Sequence, residues 1–189
     1  AVVATAFNTT GKLMCVARLD PKVRVYDRDG TDGRGKPGEA KATTTRGDSY
    51  LLDMSKTKGH VAAVCGAHWS ARTESRLVTS GADGTVRVWD VEAGPKALMG
   101  LELACSLVLR VKNERAGTRV GVLGSAMCPA ASERVAAACT DGSVQLWDLK
   151  AGNVYGGRPD LATKPGAFTP SESSAMRLAL SADGVFVYV

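Results

Sequence analysis

Hydrophobic and polar residues follow one recurring pattern at three places along the chain. The tract RLVTSGADGTVRVWD at 76–90 has an apolar stretch, a polar turn that contains Asp, and a second apolar stretch that ends on an aromatic residue followed by Asp. The tracts ERVAAACTDGSVQLWD at 133–148 and KLMCVARLDPKVRVYD at 12–27 repeat this order. Short Val-rich runs on either side of an Asp-containing turn are typical of strands in tight hairpins. The pattern therefore predicts three copies of a strand, turn and strand unit.

The spacing within the three copies is constant. In each copy the turn Asp stands six residues before the aromatic residue of the closing pair. A unit this short cannot bury its own faces, so the copies must stack on one another. Three matches in register resemble the WD40 repeat family, and the resemblance implies an all-β fold, the WD40 β-propeller. The matched pairs are Asp20 with Tyr26, Asp83 with Trp89, and Asp141 with Trp147.

The length of the chain indicates only part of such a ring. WD40 blades take roughly 40–45 residues each, whereas the aromatic-Asp pairs at 26, 89 and 147 are farther apart than that. The difference leaves on the order of 15–20 extra residues per repeat as loop insertions. We therefore expect about three and a half blades, a fragment of one larger propeller that closes with seven.

The repeats also predict a map of the blades. Blades are expected at about 1–54, 61–111 and 118–160, with a half blade at 175–189. Inserted loops are expected at 28–46 and 91–104. The outer strand is assigned to SYLLDM at 49–54 in the first blade and to CSLVLRV at 105–111 in the second. The outer strand of the third blade is expected between 151 and 160.

Composition agrees with a globular β protein, at 44% hydrophobic and 23% charged residues with 21 glycines. No apolar run approaches the ~18 residues that a transmembrane helix needs. The cysteines are odd in number and lack C-x-x-C spacing, and most fall in apolar strand-like runs, so we interpret them as reduced, buried side chains. They are Cys15, Cys65, Cys105, Cys128 and Cys139.

The WD40 resemblance implies a buried hydrogen-bond network in the second blade. In the family an Asp accepts from a His ring, the ring reaches a Ser or Thr hydroxyl, and the hydroxyl accepts from the Trp indole. The matching residues here are His60, Thr79, Asp83 and Trp89. Because every donor finds an acceptor in such an arrangement, the network is interpreted as structural rather than as a catalytic pair. The other blades lack it, since Ala137 and Val16 stand at the hydroxyl position.

Two further motifs suggest ligand sites, and neither pattern is complete. GTDGRGKP at 30–37 begins like a phosphate-binding loop, but Pro37 stands where Ser or Thr would hold magnesium. A second candidate is a metal site formed by His60, Cys65 and His68. Cys65 and His68 are an odd number of positions apart on one predicted strand, so they point to opposite faces and cannot easily share a metal ion. We expect no cofactor, no metal and no small-molecule substrate.

Charge suggests one candidate surface. The net charge is +5, and by the predicted map several cations share the face formed by the blade-connecting loops and the Asp turns. That face is a candidate for contact with RNA phosphates or an acidic protein segment, although surface cations commonly serve only solvation. No aromatic residues interleave with them to stack bases. The cations are Arg18, Lys22, Lys56, Lys58, Lys112 and Arg115.

A closer resemblance rests on pieces that are not general to WD40 repeats. VYDRDG, RGDSYLLDMSKTKGH and VTSGADGTVRVWDVE occur in the same order as in one nuclear member of the WD40 family, over roughly residues 1–150. This resemblance implies a non-enzymatic nuclear scaffold for protein–protein interactions in a spliceosomal ribonucleoprotein complex that processes mRNA. No Ser-His-Asp order or paired-carboxylate site points to an enzyme.

The resemblance leaves a second role open, that of substrate receptor of a cullin-RING ubiquitin ligase acting on chromatin at DNA damage. Receptors of that class usually carry Trp-Asp-x-Arg after a blade. The corresponding strings here are WDVE and WDLK, which place Glu92 and Lys150 at the arginine position. Neither supplies the bidentate fork of a guanidinium, so these blades do not favour that role.

Overall fold

The computed structural model describes residues 1–28, 40–92, 102–129, 133–149, 157–169, 178–181 and 187–188. Its regular elements over those residues are all β-strands, grouped into separate sheets that correspond to blades and are antiparallel except for one parallel pair at an outer edge. Within the same ranges no helix has the length and apolarity needed to cross a bilayer. The expected all-β partial propeller is confirmed.

The first blade is built from strands that follow one another in the chain. β1 (Val2–Phe7), β2 (Leu13–Arg18), β3 (Val23–Asp27) and β4 (Ala42–Thr44) lie side by side in that order. The β2–β3 register pairs Met14 with Tyr26. Sequential antiparallel pairing is the simplest way to join strands through short turns.

The second blade repeats this order with longer, better buried strands. It contains β5 (Val64–Trp69), β6 (Arg76–Gly81), β7 (Thr85–Asp90) and, at its outer edge, β9 (Cys105–Arg110). β9 lies within the span predicted for this outer strand. In β7 the first five residues are all buried, because neighbouring blades cover both faces of this sheet.

The third blade is completed by a very short outer strand. β10 (Val122–Met127), β11 (Arg134–Cys139) and β12 (Val144–Asp148) form its body, and β13 (Leu161–Ala162) pairs with β12. Beyond it, β14 (Ala179–Leu180) and β15 (Val187–Tyr188) form an antiparallel hairpin within the span of the predicted half blade.

A strand from the second blade's insertion joins the sheet of the first blade. β8 (Glu102–Leu103) runs parallel to β4 as a fifth strand. Thr45 donates its hydroxyl to the Leu103 carbonyl at 2.6 Å, and Lys22 pairs with Glu102 at 2.8 Å. The insertion therefore ties the first two blades together at their outer edges.

Two apolar clusters fill the spaces between blades. One joins first-blade residues such as Val23 and Val25 to Leu77 and Trp89 of the second blade. The other joins Val86 of the second blade to third-blade residues that include Trp147. Alternate positions of β6 and β7 thus pack against opposite neighbours, as the two-residue period of a strand requires.

The predicted map differs from the structure in the outer strands of the first and third blades. The outer strand of the first blade is Ala42–Thr44, not 49–54, so it occupies the end of the predicted 28–46 loop. Thr44 Oγ1 accepts from Val23 N at 2.9 Å, a contact that fixes this segment to β3 and that apolar patterning does not reveal. The third outer strand, Leu161–Ala162, lies just after the predicted span.

The predicted 91–104 loop also differs, because its end forms the strand Glu102–Leu103. The phosphate-loop-like tract at 30–37 and Lys150 lie outside the described residues, as does most of the half blade. All five cysteines are free thiols, but only Cys15, Cys128 and Cys139 are buried, whereas Cys65 and Cys105 are half-buried. Burial raises the pKa of Cys15 to about 11.

Candidate functional site

The second blade brings four predicted residues together in one buried cluster. The His60 ring lies with Nδ1 3.0 Å from Asp83 Oδ2 and Nε2 2.8 Å from Thr79 Oγ1. The Trp89 indole donates to the same Thr79 hydroxyl at 2.8 Å. Thr79 and Trp89 come from adjacent strands, Asp83 from the turn between them, and His60 from the loop that enters the blade.

Donors and acceptors in this cluster balance. Thr79 Oγ accepts from Trp89, so its own hydrogen is free to donate to His60 Nε2. His60 Nδ1–H then donates to Asp83, whose Oδ2 also accepts from Val61 N at 2.9 Å. A neutral imidazole satisfies every partner, and the carboxylate determines its tautomer.

The environment keeps Asp83 ionised. Burial by itself would raise the pKa of Asp83, but hydrogen bonds from His60, Thr85 and Val61 act in the opposite direction. These favourable contacts prevail, and the pKa falls to about 2. The cluster therefore contains a buried negative charge that needs a compensating cation nearby.

A fully buried cation, Arg87, is linked to this carboxylate through the Thr85 hydroxyl. Its Nε donates to Thr85 Oγ1 at 3.3 Å, and the Thr85 hydroxyl donates to Asp83 Oδ1 at 2.7 Å. The buried acid and the buried base are thus joined through one hydroxyl. The polar cluster extends from Trp89 through His60 and Asp83 to Arg87, farther than the predicted four residues.

The guanidinium of Arg87 also holds the loop that connects the first two blades. It donates to the Thr57 carbonyl and to the Met54 carbonyl, each at 3.0 Å, and to the Thr57 hydroxyl. Thr57 in turn donates to the Met54 carbonyl at 2.9 Å. Carbonyls that would otherwise face a dry interior are satisfied by one side chain.

The same loop is closed at its base by two glycines. Gly47 N donates to the His60 carbonyl at 2.9 Å, so the chain enters and leaves the loop at adjacent points. A Cβ at Gly59 would lie 1.6 Å from the Thr45 carbonyl oxygen, and one at Gly47 would lie 2.1 Å from the Gly59 carbonyl oxygen. Only glycine permits this approach, and residues 48–58 form a compact loop with close ends, hereafter the 48–58 loop.

The residues considered for a metal site are engaged separately. His60 contacts Asp83, whereas the Cys65 thiol points to the Ala63 carbonyl at 3.6 Å. His68 lies on the inner strand and reaches Ser125 Oγ of the third blade at 3.0 Å, and burial lowers the pKa of His68 to about 4. Among the described residues no group of three potential ligands is placed to hold a metal ion.

The predicted basic residues differ in their exposure and in their partners. Lys22 is paired with Glu102, and Lys56 lies 3.7 Å from Asp53. Lys112 is half-buried, and its carbonyl accepts from Gln145. The exposed cations of the set are Arg18, Lys56, Lys58 and Arg115.

Sequence reasoning missed Thr57, Thr85 and Arg87. A signal for Arg87 was present, because residues 85, 87 and 89 share one face of a strand and Trp89 was already assigned to the interior. Nothing in the local pattern indicated Thr57, since its role depends on how the connecting loop folds over the blade.

Comparisons with known proteins identify the same fold. The family model for the WD domain, G-beta repeat, matches residues 53–90, which contain most of the buried cluster. The C-terminal WD40 domain of Sif2 superposes with a TM-score of 0.62 at 17% identity, covering 98% of this chain and 42% of that one. At this identity the match shows the fold alone.

Curated relatives extend the similarity to sequence. The chain is 30% identical over 144 residues to the Gastrulation defective protein 1 homolog of Drosophila melanogaster, covering 76% of this chain and 19% of that protein. It is 31% identical over 142 residues to WD repeat-containing protein 70 of Xenopus tropicalis, covering 75% of this chain and 20% of that protein. The chain spans about a fifth of the length of these relatives. The pieces RGDSYLLDMSKTKGH and VTSGADGTVRVWDVE predict a resemblance to this same protein, and that prediction is confirmed.

Proposed function

Because the chain belongs to the WD40 repeat family, we propose that it is a non-enzymatic scaffold in the nucleus that binds proteins of a spliceosomal ribonucleoprotein complex. The coarser part, a WD40 scaffold for protein–protein interaction, follows from the family match and the similarity to WD repeat-containing protein 70. The nuclear location and the splicing complex are inferred from that similarity over three quarters of the chain.

One observation about the site carries the proposal. The buried cluster of the second blade is used to hold a loop, because Arg87 and His60 contact the connecting segment from beneath. Loops that a rigid core holds in place are the usual binding elements of proteins with this architecture. Every polar group of the cluster is engaged in structural contacts, which favours presentation of a surface over chemistry.

Crosslinking mass spectrometry on the native nuclear complex tests this proposal. We expect Lys56, Lys58 and Lys112, which lie on or beside the blade-connecting loops, to crosslink to spliceosomal proteins. Lys12, in the turn between β1 and β2, serves as the internal comparison. Crosslinks only to a cullin adaptor or to histones would contradict the proposal and favour the ubiquitin-ligase receptor.

The residue after the second blade's Trp-Asp pair does not favour the ubiquitin-ligase receptor role for this part of the chain. Glu92 stands at the position of the receptor arginine, is exposed, and is held by a backbone hydrogen bond from its N–H to Asp90 Oδ1 at 3.0 Å. A carboxylate there repels the acidic groups that an arginine would bind.

A further inference from the structure

The 48–58 loop presents large apolar side chains to solvent. Leu52 is 97% exposed and Tyr50 is 80% exposed, both at the tip of the loop. Single exposed apolar residues are common, but these two belong to a segment that two glycines and Arg87 hold in a fixed shape. Arg87 anchors the loop at Met54 and Thr57, while Tyr50 and Leu52 remain exposed.

A groove lies directly beside these side chains. It has a volume of about 650 Å³, and its apolar wall is formed by Leu51, Leu52, Met54 and Val61. A volume of this size admits several residues of an extended segment rather than one small group.

Two arginines also line the groove. They are Arg110 and Arg119, and neither takes part in the ion pairs found among the described residues. Arg110 is oriented by a hydrogen bond to the Gly117 carbonyl at 3.2 Å. The side chain of Arg119 is exposed and lies over the Asp turn of the second blade, where a Cβ at Gly84 would meet its Cγ at 2.6 Å.

The carboxylate of Asp53 lines the groove as well, but cations outnumber acids in the two segments that surround it. Asp53 accepts from the backbone and the hydroxyl of Ser55 and lies near Lys56, and these contacts lower the pKa of Asp53. Asp48 is the other acid of the loop. The segments 46–60 and 110–119 together hold seven Lys and Arg but three Asp and Glu, so they carry most of the net charge of +5.

We propose that this groove binds an acidic segment of a partner protein that inserts a bulky apolar side chain beside Leu52 and places carboxylates against Arg110 and Arg119. The proposal rests on the scaffold function above and names the chemistry of the partner. Aliphatic side chains dominate the apolar wall, which suits an apolar anchor residue better than a nucleic-acid base. Unpaired guanidinium groups at the rim bind carboxylates in bidentate geometry.

Fluorescence anisotropy with the intact protein provides the test. The probe is a labelled peptide that alternates Asp and Glu with Leu and Phe. One control peptide carries Ser in place of Leu and Phe, and a second carries Asn and Gln in place of the acids. We expect each control peptide to bind at least about tenfold more weakly than the probe.

Matched variants locate the site. Leu52→Asp should weaken binding of the probe about tenfold or more, whereas Leu161→Asp, at another exposed leucine, should leave it unchanged. Arg119→Glu should weaken binding and reduce its salt dependence, whereas Arg72→Glu, at an exposed arginine in the loop before β6, should not. Leu52, Arg119 and their controls are exposed, so loss of folding does not explain a difference between them.

Two results would overturn the proposal. One is that the apolar anchor does not matter: the Ser-substituted peptide binds as tightly as the probe, or the Leu52→Asp variant binds the probe as tightly as the unchanged protein does. The other is tighter binding of a labelled oligouridine than of the probe, with loss on Arg119→Glu, which would assign the groove to RNA. If the peptide does not bind but spliceosomal crosslinks are found, the groove proposal is wrong and the scaffold proposal stands. If the peptide binds but no such crosslinks are found, the groove proposal stands and the spliceosomal scaffold is wrong.

Discussion

The second and third blades share one backbone plan but differ in what fills it. Val64 pairs with Gly81 in the second blade and Val122 with Cys139 in the third, and both sheets have a bulge directly after that first pair. Equivalent positions are therefore 58 residues apart. At four pairs of equivalent positions the two blades have different residues. The second-blade residue is given first: Thr79 and Ala137, Gly81 and Cys139, Arg87 and Gln145, His60 and Thr118.

The difference leaves polar atoms of the third blade without partners. Trp89 donates to Thr79, whereas the equivalent Trp147 is equally buried and its Nε1 has no acceptor among the described residues. Gln145 donates to the Lys112 carbonyl at 2.7 Å, which leaves its Oε1 unpartnered there as well. Each such buried group costs free energy that the second blade avoids.

The glycine at position 81 explains why only one blade holds the histidine. A Cβ at Gly81 would lie 2.6 Å from His60 Nδ1, so the imidazole fits only above a residue without a side chain. The third blade has Cys139 here, fully buried in the apolar cluster with Trp147. One blade thus gains stability from hydrogen bonds and the other from packing.

The largest expected contrast comes from removing the histidine. His60→Ala leaves Asp83 as a buried charge without its main partner, so we expect a loss of about 3 kcal/mol in unfolding free energy. Thr118→Ala, at the equivalent exposed position, should change it by less than about 0.5 kcal/mol. Urea unfolding of the intact protein measures both, and equal midpoints for the two variants would refute the comparison.

Arg87→Met should have a similar but slightly smaller effect. It removes the donors for the Met54 and Thr57 carbonyls and the buried cation that is linked to Asp83 through Thr85, at a cost of about 2–3 kcal/mol. Gln145→Met deletes one hydrogen bond together with an unpartnered oxygen, so its expected cost is under about 1 kcal/mol.

Amide hydrogen exchange measures the local effect of Arg87→Met and Gln145→Met on the 48–58 loop. Backbone amides of the 48–58 loop should exchange faster in Arg87→Met, because the guanidinium no longer holds the loop. They should keep their protection in Gln145→Met. Unchanged exchange in both variants would show that the loop is held by other contacts.

The buried carboxylate of the second blade should make stability fall in acid. The pKa of Asp83 is lowered from 3.8 to about 2, so the folded state binds this proton less tightly than the unfolded chain does. The resulting stabilisation, about 2 kcal/mol, is complete above pH ~4 and is lost as the pH falls from there toward 2. Asp83→Asn should lack this component when unfolding free energies at pH 5 and pH 2.5 are compared, and the same acid loss in that variant would assign it elsewhere.

The smallest expected effect is a gain. Ala137→Ser places a hydroxyl where Thr79 stands in the second blade and offers Trp147 Nε1 an acceptor, which should stabilise the protein by up to about 1 kcal/mol. Thr79→Ala, the reverse change, should destabilise it by about 1–2 kcal/mol. A loss in both variants would indicate that the third blade is packed too tightly to accept the hydroxyl.

Local pattern was a good guide wherever strands alternate and turns are tight. The Asp turns and the strands beside them lie close to where the repeats placed them, because hairpin register depends on neighbouring residues. It was a poor guide at 49–54, where Tyr50 and Leu52 have the composition of a strand but lie on an exposed loop. The segment that does form the first outer strand, Ala42–Thr44, is stabilised by Val23 and by the distant Leu103, which no local window contains.

The sequence by itself determined the repeat and its hairpins, since each depends on a periodicity of two or on a fixed spacing from the Asp turn, and the resemblance to WD40 repeats implied the four residues of the polar cluster. Only the tertiary structure decided what that cluster does. Arg87 reaches across 30 residues of chain to Thr57, and β8 crosses from one blade to the next. Such contacts join segments that are far apart in the chain, so they depend on how the blades stack, which the order of residues does not show.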